Sequence, residues 1–345
     1  MKAGVYHGFG DVRIEEALRP ATPPEGLLVA VKTCGLCGTD VAKYRHQLVQ
    51  PPVVLGHEVA GEVVEVGKLV TKWKPGDRVV VPHHIPCFVC AYCRHGNFSA
   101  CPEFKLNTIT PGGFAEFIAV AGPSAEKGVL AIPENVSFDQ AALCESLACC
   151  LRAIKRSGMM PGDSLAVIGC GPVGLMNMAL ARALGAGPIV GIDIAPERLE
   201  AAKRFGACVA LDSRGQGVVE AIRTITGDRG VDIALVCVGS AAAIESGIAV
   251  ARRGGQVHVF AECPPKSKLT LDPNLVYHEL SIVGTYSSSP VDLAESLQLI
   301  AHRRVELDAL VTHRLPLSQL ARAFEMAVAG KDALKILIHP QREGL

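Results

Sequence analysis

The stretch SLAVIGCGPVGLMNMALARALGAGPIVGID, residues 164–193, constrains the fold more than any other part of this chain. Its opening, SLAVIG, is a short apolar run that reads as a buried strand. The strand ends in Gly169-Cys170-Gly171-Pro172-Val173-Gly174, a G-x-G-x-x-G. A helical pattern follows, with Val173, Met176, Leu180 and Leu184 on one face. Gly185 and Gly187 close the helix, and PIVGID begins a second strand. A bare G-x-G-x-x-G says little. Set between a strand and a helix, with an acid after the next strand, it points to a dinucleotide site. The glycines let the backbone approach a pyrophosphate, and the helix N-terminus supplies N–H donors and the positive end of its dipole. Asp193 lies 24 residues after Gly169. Its carboxylate can accept both ribose hydroxyls of NAD and would repel the 2′-phosphate of NADP, so NAD is expected. Arg198 could cover the adenine side, although its simpler reading is a solvated helix residue. Met176 and Met178 read as core.

The alternation continues downstream. VDIALVCVG, GGQVHVF and ELSIVGTY read as strands, and segments near 197–206, 217–226 and 241–251 as helices. The alternation is that of a Rossmann domain, six parallel strands with helices between them, over residues 148–287. A chain of 345 residues has room for a second domain with its own core.

Charge and hydropathy exclude several classes. Lys plus Arg is 34 and Asp plus Glu is 34, so the basic excess that phosphate-driven nucleic-acid binding needs is missing. No apolar run reaches the roughly 18 residues of a membrane span. The N-terminal MKAGVYHGFGDVRIEE lacks the apolar centre of a signal peptide. The expected compartment is therefore the reducing cytoplasm, where the 13 cysteines should be thiols or metal ligands and not disulfides.

Four of those cysteines crowd one stretch, CFVCAYCRHGNFSAC. Cys87, Cys90, Cys93 and Cys101 have the spacing C-x2-C-x2-C-x7-C. Short Cys-x2-Cys steps aim neighbouring thiolates at one centre, and a more distant Cys closes a tetrahedron. Four thiolates with no open position describe a structural zinc, and Pro86, Gly96 and Asn97 mark the surrounding chain as loop. Such a lobe, spanning residues 83–103, braces a loop without explaining a function, and a nucleic-acid zinc ribbon fits this stretch taken alone.

CGLCGTD and GHEVAGEVVEVG bring a further set of ligand types: Cys37, His57 and Glu58. A Cys, a His and a carboxylate suit a catalytic zinc with one position open to water or substrate. By spacing alone these residues are equally a buried Cys and a surface His–Glu pair.

Taken together, CGLCGTD, GHEVAGEVVEVG, KPGDRVV, the four-cysteine lobe, GGFAEF, ALCESL, VIGCGPVG with Asp193, and LVTHRLPLSQLARAF resemble the zinc-dependent medium-chain dehydrogenases, in the branch of sorbitol, threonine and related polyol dehydrogenases. The resemblance covers almost the whole chain. It implies a mostly-β GroES-like catalytic domain over 1–147 and 288–345, with the doubly wound Rossmann domain inserted. It implies NAD and two zinc ions per chain, one catalytic and one structural. It places Cys37, His57 and Glu58 on the catalytic zinc, and Glu145 of ALCES where a carboxylate binds that zinc or its water. Thr39 becomes the first proton acceptor. The cofactor contacts it implies are Gly169, Gly171, Pro172, Val173, Gly174, Asp193 and Arg198, then Phe260, Ala261 and Glu262 after the fifth strand and Thr285 and Tyr286 after the sixth.

Two positions depart from the family pattern. Ala42 stands where a His often relays the proton to solvent, leaving Glu58, Glu145 or an ordered water for that step, with Lys43, Tyr44 and His46 as further nearby candidates. Ser146 replaces a Pro common after the Glu, and is expected to loosen the turn that presents Glu145. The implied reaction is oxidation of a secondary hydroxyl of a polyol, sugar alcohol or sugar derivative to a ketone. L-Threonine and simple secondary alcohols are the alternatives, and a non-catalytic zinc- and nucleotide-binding protein is the reading from a different class. Relatives imply a homodimer or homotetramer acting on a small-molecule alcohol, with no nucleic acid or membrane partner.

Overall fold

The computed structural model describes residues 1–330 and 333–342. Positions 331–332 and 343–345 of the expected 288–345 segment lie outside the described residues. The chain divides into two compact units, one of Met1–Ala148 with Ser288–Leu345 and one of Cys149–Ser287.

The first unit is built on an antiparallel sheet around the strand Leu27–Gly35. Its sequence, LLVAVKTCG, is rich in branched residues, and all but Lys32 are buried. Antiparallel partners are Glu58–Val66, Phe117–Val120 and Lys335–His339. The register places Gly35 opposite Glu58 on one side and opposite Leu337 on the other. The ends of two strands and the middle of a third therefore meet at Gly35, from segments far apart in sequence. Behind them lies a core of Val29, Val31, Val63, Phe114, Ile118 and Phe324. Tyr44 joins that core, its ring stacked 4.8 Å from Phe324.

The second unit is a six-stranded parallel sheet. Its spatial order is Val209–Asp212, Ile189–Asp193, Leu165–Ile168, Val231–Val236, Ala251–Val259 and Ser281–Gly284. Strand order reverses between Leu165–Ile168 and Val231–Val236, the crevice where doubly wound sheets bind ligands beyond their carboxyl ends. The runs LAVI and IVGID are buried throughout, as strands covered on both faces should be. The helix Pro172–Ala183 follows the glycine turn. Met176, Met178 and Leu180 are buried in it, but Leu184 lies one residue past its end and is exposed. The apolar stripe read from the sequence ran one residue too far because the chain turns at Gly185, φ +89°.

Together the units make an α/β protein: a mostly-β unit whose chain is interrupted by a doubly wound parallel-sheet unit. Among the described residues, no helix is long and apolar enough to cross a membrane.

Candidate active site and metal centres

In the first unit the end of strand Leu27–Gly35 delivers Cys37 to the N-cap of the helix Gly38–His46. The cap is reciprocal: the Cys37 sulfur accepts from the Thr39 N–H at 3.5 Å, and Asp40 accepts from the Cys37 N–H at 3.2 Å. Asp40 is fully buried and does more than cap. It also accepts from the Gly56 N–H at 3.3 Å and stands 3.3 Å from His57 Nδ1. One carboxylate thus ties the Cys37 and His57 segments together and fixes the imidazole with Nε2 left to bind an ion. Burial opposes a charge on His57, but Asp40 and Cys37 outweigh it and raise its pKa well above the usual value.

Sulfur, imidazole and carboxylate atoms of Cys37, His57 and Glu58 lie within 4.8 Å of one another. Glu58 is committed elsewhere as well. Its Oε1 accepts from Lys335 Nζ at 2.6 Å and from the Ser146 hydroxyl at 2.5 Å. Gly35 makes the room, since a Cβ there would sit 1.9 Å from Glu58 Oε2. Burial lowers the pKa of Lys335, but Glu58 more than reverses this and raises it above the usual value. Ser146 lies in the first turn of the helix Cys144–Ser157 and is buried. The sequence suggested that this serine loosens a turn. Instead it stands inside a helix and its hydroxyl bonds Glu58.

Glu145, in the same first turn, faces His83, with its Oε1 3.7 Å from His83 Nδ1. His57, His83 and Glu145 form another group whose donor atoms lie within 4.8 Å of one another. His83 follows the strand Arg78–Val81 in the loop PHHIP. Its ring packs 4.6 Å from His57 and 3.8 Å from His84, and His84 packs 4.7 Å from Phe104. Burial and the neighbouring His57 and His84 push His83 well below its ordinary pKa, and burial takes His84 to about 3. Both rings are neutral at neutral pH.

The four lobe cysteines converge, all sulfurs lying within 4.8 Å of one another. Cys90 and Cys87 sulfurs stand 3.6 and 3.9 Å from that of Cys93. A tetrahedral zinc with bonds of about 2.3 Å needs sulfurs about 3.8 Å apart. Backbone N–H donors lower the pKa of Cys87 while burial raises that of Cys93. Four such thiols become four thiolates only around a cation, and the donor set fits zinc.

In the second unit the three glycines serve separate needs. Gly169 has φ +96° and makes the turn. A Cβ on Gly174 would lie 1.9 Å from the Gly169 carbonyl oxygen, so helix and strand pack closely there. A Cβ on Gly171, the N-cap of Pro172–Ala183, would meet nothing within 4 Å. That is the open backbone a pyrophosphate requires. The buried Asp193 carboxylate accepts from the N–H groups of Cys170, Ile194 and Ala195, with Arg198 3.9 Å away. Those three bonds leave about one of its roughly four lone-pair positions. Phe260, Ala261 and Glu262 follow the strand Ala251–Val259, and Thr285 and Tyr286 follow Ser281–Gly284. The Thr285 hydroxyl is held 2.7 Å from Nε2 of the buried His258.

Of the alternative relay groups, Tyr44 is a core residue and His46 is exposed. Sequence reasoning missed Asp40, His83 and Lys335. The signals were a paired His in a proline-bracketed loop and a lone Lys opening the apolar strand KILIH.

Known proteins match this architecture from end to end. Residues 23–134 match the family model of the alcohol dehydrogenase GroES-like domain, and residues 172–302 that of zinc-binding dehydrogenase. Over 99% of its length the chain is 35% identical to the sorbitol dehydrogenase of Bacillus subtilis strain 168, covering 98% of that protein. The chain belongs to the zinc-binding dehydrogenases. This dehydrogenase is also 33% identical to the L-threonine 3-dehydrogenase of Bacillus velezensis, over 98% of its own chain and 99% of that one. Its fold superposes on the alcohol dehydrogenase TADH from Thermus sp. ATN1 with a TM-score of 0.88, at 33% identity, covering 98% and 99% of the two chains.

Proposed function

We propose that this dehydrogenase oxidises a secondary hydroxyl of a polyol, sugar alcohol or sugar derivative to a ketone, with NAD as acceptor. The observation that carries the reading is the convergence of Cys37, His57 and the buried Glu58, with the second carboxylate of Glu145 near His57. A retired enzyme has no need of such a set, and likeness to a sorbitol dehydrogenase favours the polyol class.

Cys37, His57 and Glu58 hold the catalytic ion, and Glu145 reaches it or its water. When bound, the zinc supplies a Lewis acid that eases loss of a hydroxyl proton, and the nicotinamide supplies the hydride acceptor. Asp40 keeps His57 in one tautomer and orientation. Lys335 pairs with Glu58 and holds its carboxylate in place. Thr39, exposed in the first turn of its helix, takes the substrate's hydroxyl proton and donates its own to water. That direct exit suits a chain with Ala42 in place of a relaying His. Asp193 receives the adenosine ribose, and its charge disfavours a 2′-phosphate there. Arg198, Phe260, Ala261, Glu262, Thr285 and Tyr286 complete the cofactor site.

The four-cysteine lobe holds the second zinc. Among the described residues none of the thirteen cysteines is in a disulfide, which suits a reducing cytoplasm. The edge strand Ser281–Gly284, near the exposed Val276 and Tyr277, suits a homodimer or homotetramer.

The test is NADH absorbance across a panel of polyols, phosphorylated polyols, L-threonine and short secondary alcohols, with NADP in parallel. Reduction of NAD by one polyol group supports the reading. A response to L-threonine alone moves the assignment to the second substrate class, favoured by the 33% likeness to a threonine dehydrogenase. Silence across the panel from zinc-loaded protein contradicts it.

A further inference from the structure

We propose that His57, His83 and Glu145 form a second position for the catalytic ion, overlapping the first through His57. The inference rests on the proposed role of Cys37 and His57 in holding that ion, and adds His83 as a ligand.

The donor atoms of the three residues lie within 4.8 Å of one another. The 3.7 Å between His83 Nδ1 and Glu145 Oε1 is too long for a hydrogen bond. It is close to the roughly 3.4 Å that separates two ligands of one tetrahedral ion with bonds of about 2.0–2.1 Å. Two imidazoles and a carboxylate are a known ligand set for catalytic zinc, leaving one position open.

The set is also held in place. His83 is packed between the rings of His57 and His84, and His84 rests on Phe104. Phe104 is fully buried in the lobe beside Cys93 and Cys101, and its carbonyl accepts from the Ile85 N–H at 3.1 Å. Cys87, the first lobe ligand, lies four residues after His83, so the structural metal braces the loop that presents His83. Glu145 stands on the first turn of a buried helix. Rigid presentation of this kind is what a ligand needs and a passing core histidine does not.

The two positions differ in chemistry. The first uses a thiolate and a carboxylate that Lys335 and Ser146 also hold. The second uses nitrogen and oxygen only and does without Cys37. An ion passing from one to the other keeps His57 and exchanges sulfur for nitrogen.

The test counts metal in Cys37→Ser, His83→Ala and the double variant after zinc saturation and gel filtration. Cys37→Ser should retain two ions per chain, one in the lobe and one on His57, His83 and Glu145. The double variant should retain only the lobe ion, which also reports that the chain has folded. Cobalt introduced at the catalytic position should give d–d bands in Cys37→Ser and none in the double variant. In the otherwise native chain, His83→Ala should lose its catalytic ion to a chelator about tenfold faster or more. A Cys37→Ser protein with one ion, or an unchanged chelation rate in His83→Ala, overturns the proposal. Failure of the substrate panel leaves these counts untouched, so the two readings fail separately.

Discussion

Lys335 Nζ lies 2.6 Å from Glu58 Oε1, across 277 residues of chain, with both side chains buried. Neither charge tolerates the loss of the other. Removing one partner of a buried pair costs about 3–5 kcal/mol, because the remaining charge is stranded. Lys335→Met should therefore destabilise the protein by that amount in urea denaturation. Adding Glu58→Gln should recover most of the loss. Equal stability of the single and double variants would mean the pair does not interact as described.

Gly171 and Gly174 should respond differently to one methyl group. Gly171→Ala meets open space and should leave the melting temperature unchanged while weakening NAD binding. Gly174→Ala drives a Cβ against the Gly169 carbonyl and should lower the melting temperature as well. Calorimetry of both variants, with and without NAD, separates a ligand-facing glycine from a packing one.

Asp139 predicts an acid-dependent loss of stability. Its carboxylate accepts from Thr33 at 3.0 Å and Arg314 at 2.7 Å and lies 2.9 Å from the buried His339. Burial works against its charge, but His339, Arg314 and Thr33 outweigh it and hold its pKa well below the ordinary value. A depressed folded-state pKa gives stability that is present above the unfolded value, near about 3.9, and lost as pH falls toward the folded one. Asp139→Asn should cost about 1–3 kcal/mol at neutral pH, the range reduced because Arg314 is partly solvated. The difference should shrink below about pH 4. A difference that grows on acidification would reverse the sign of this account.

Local chemistry was legible in the sequence, and long-range chemistry was not. The glycine turn, the four-cysteine lobe and the Cys37, His57 and Glu58 ligand types all occupy short stretches with characteristic spacing. The helix Pro172–Ala183 and strands such as Leu165–Ile168 followed from periodicity. Lys335 was invisible because its partner is set by strand register at Gly35, and register across hundreds of residues leaves no local pattern. His83 was hidden in a loop whose course depends on packing of His84 against Phe104. Ser146 was misjudged as a missing proline because its gain, a bond to Glu58, lies in another strand.

The central claim is that an ion held by Cys37, His57 and a carboxylate serves NAD-dependent oxidation of an alcohol. The most direct measurement is the rate of NADH formation from an active polyol before chelation, after removal of the catalytic ion, and after zinc is returned. The account predicts loss of turnover with NAD binding intact, then recovery with zinc. Turnover that survives removal of the catalytic ion would contradict it.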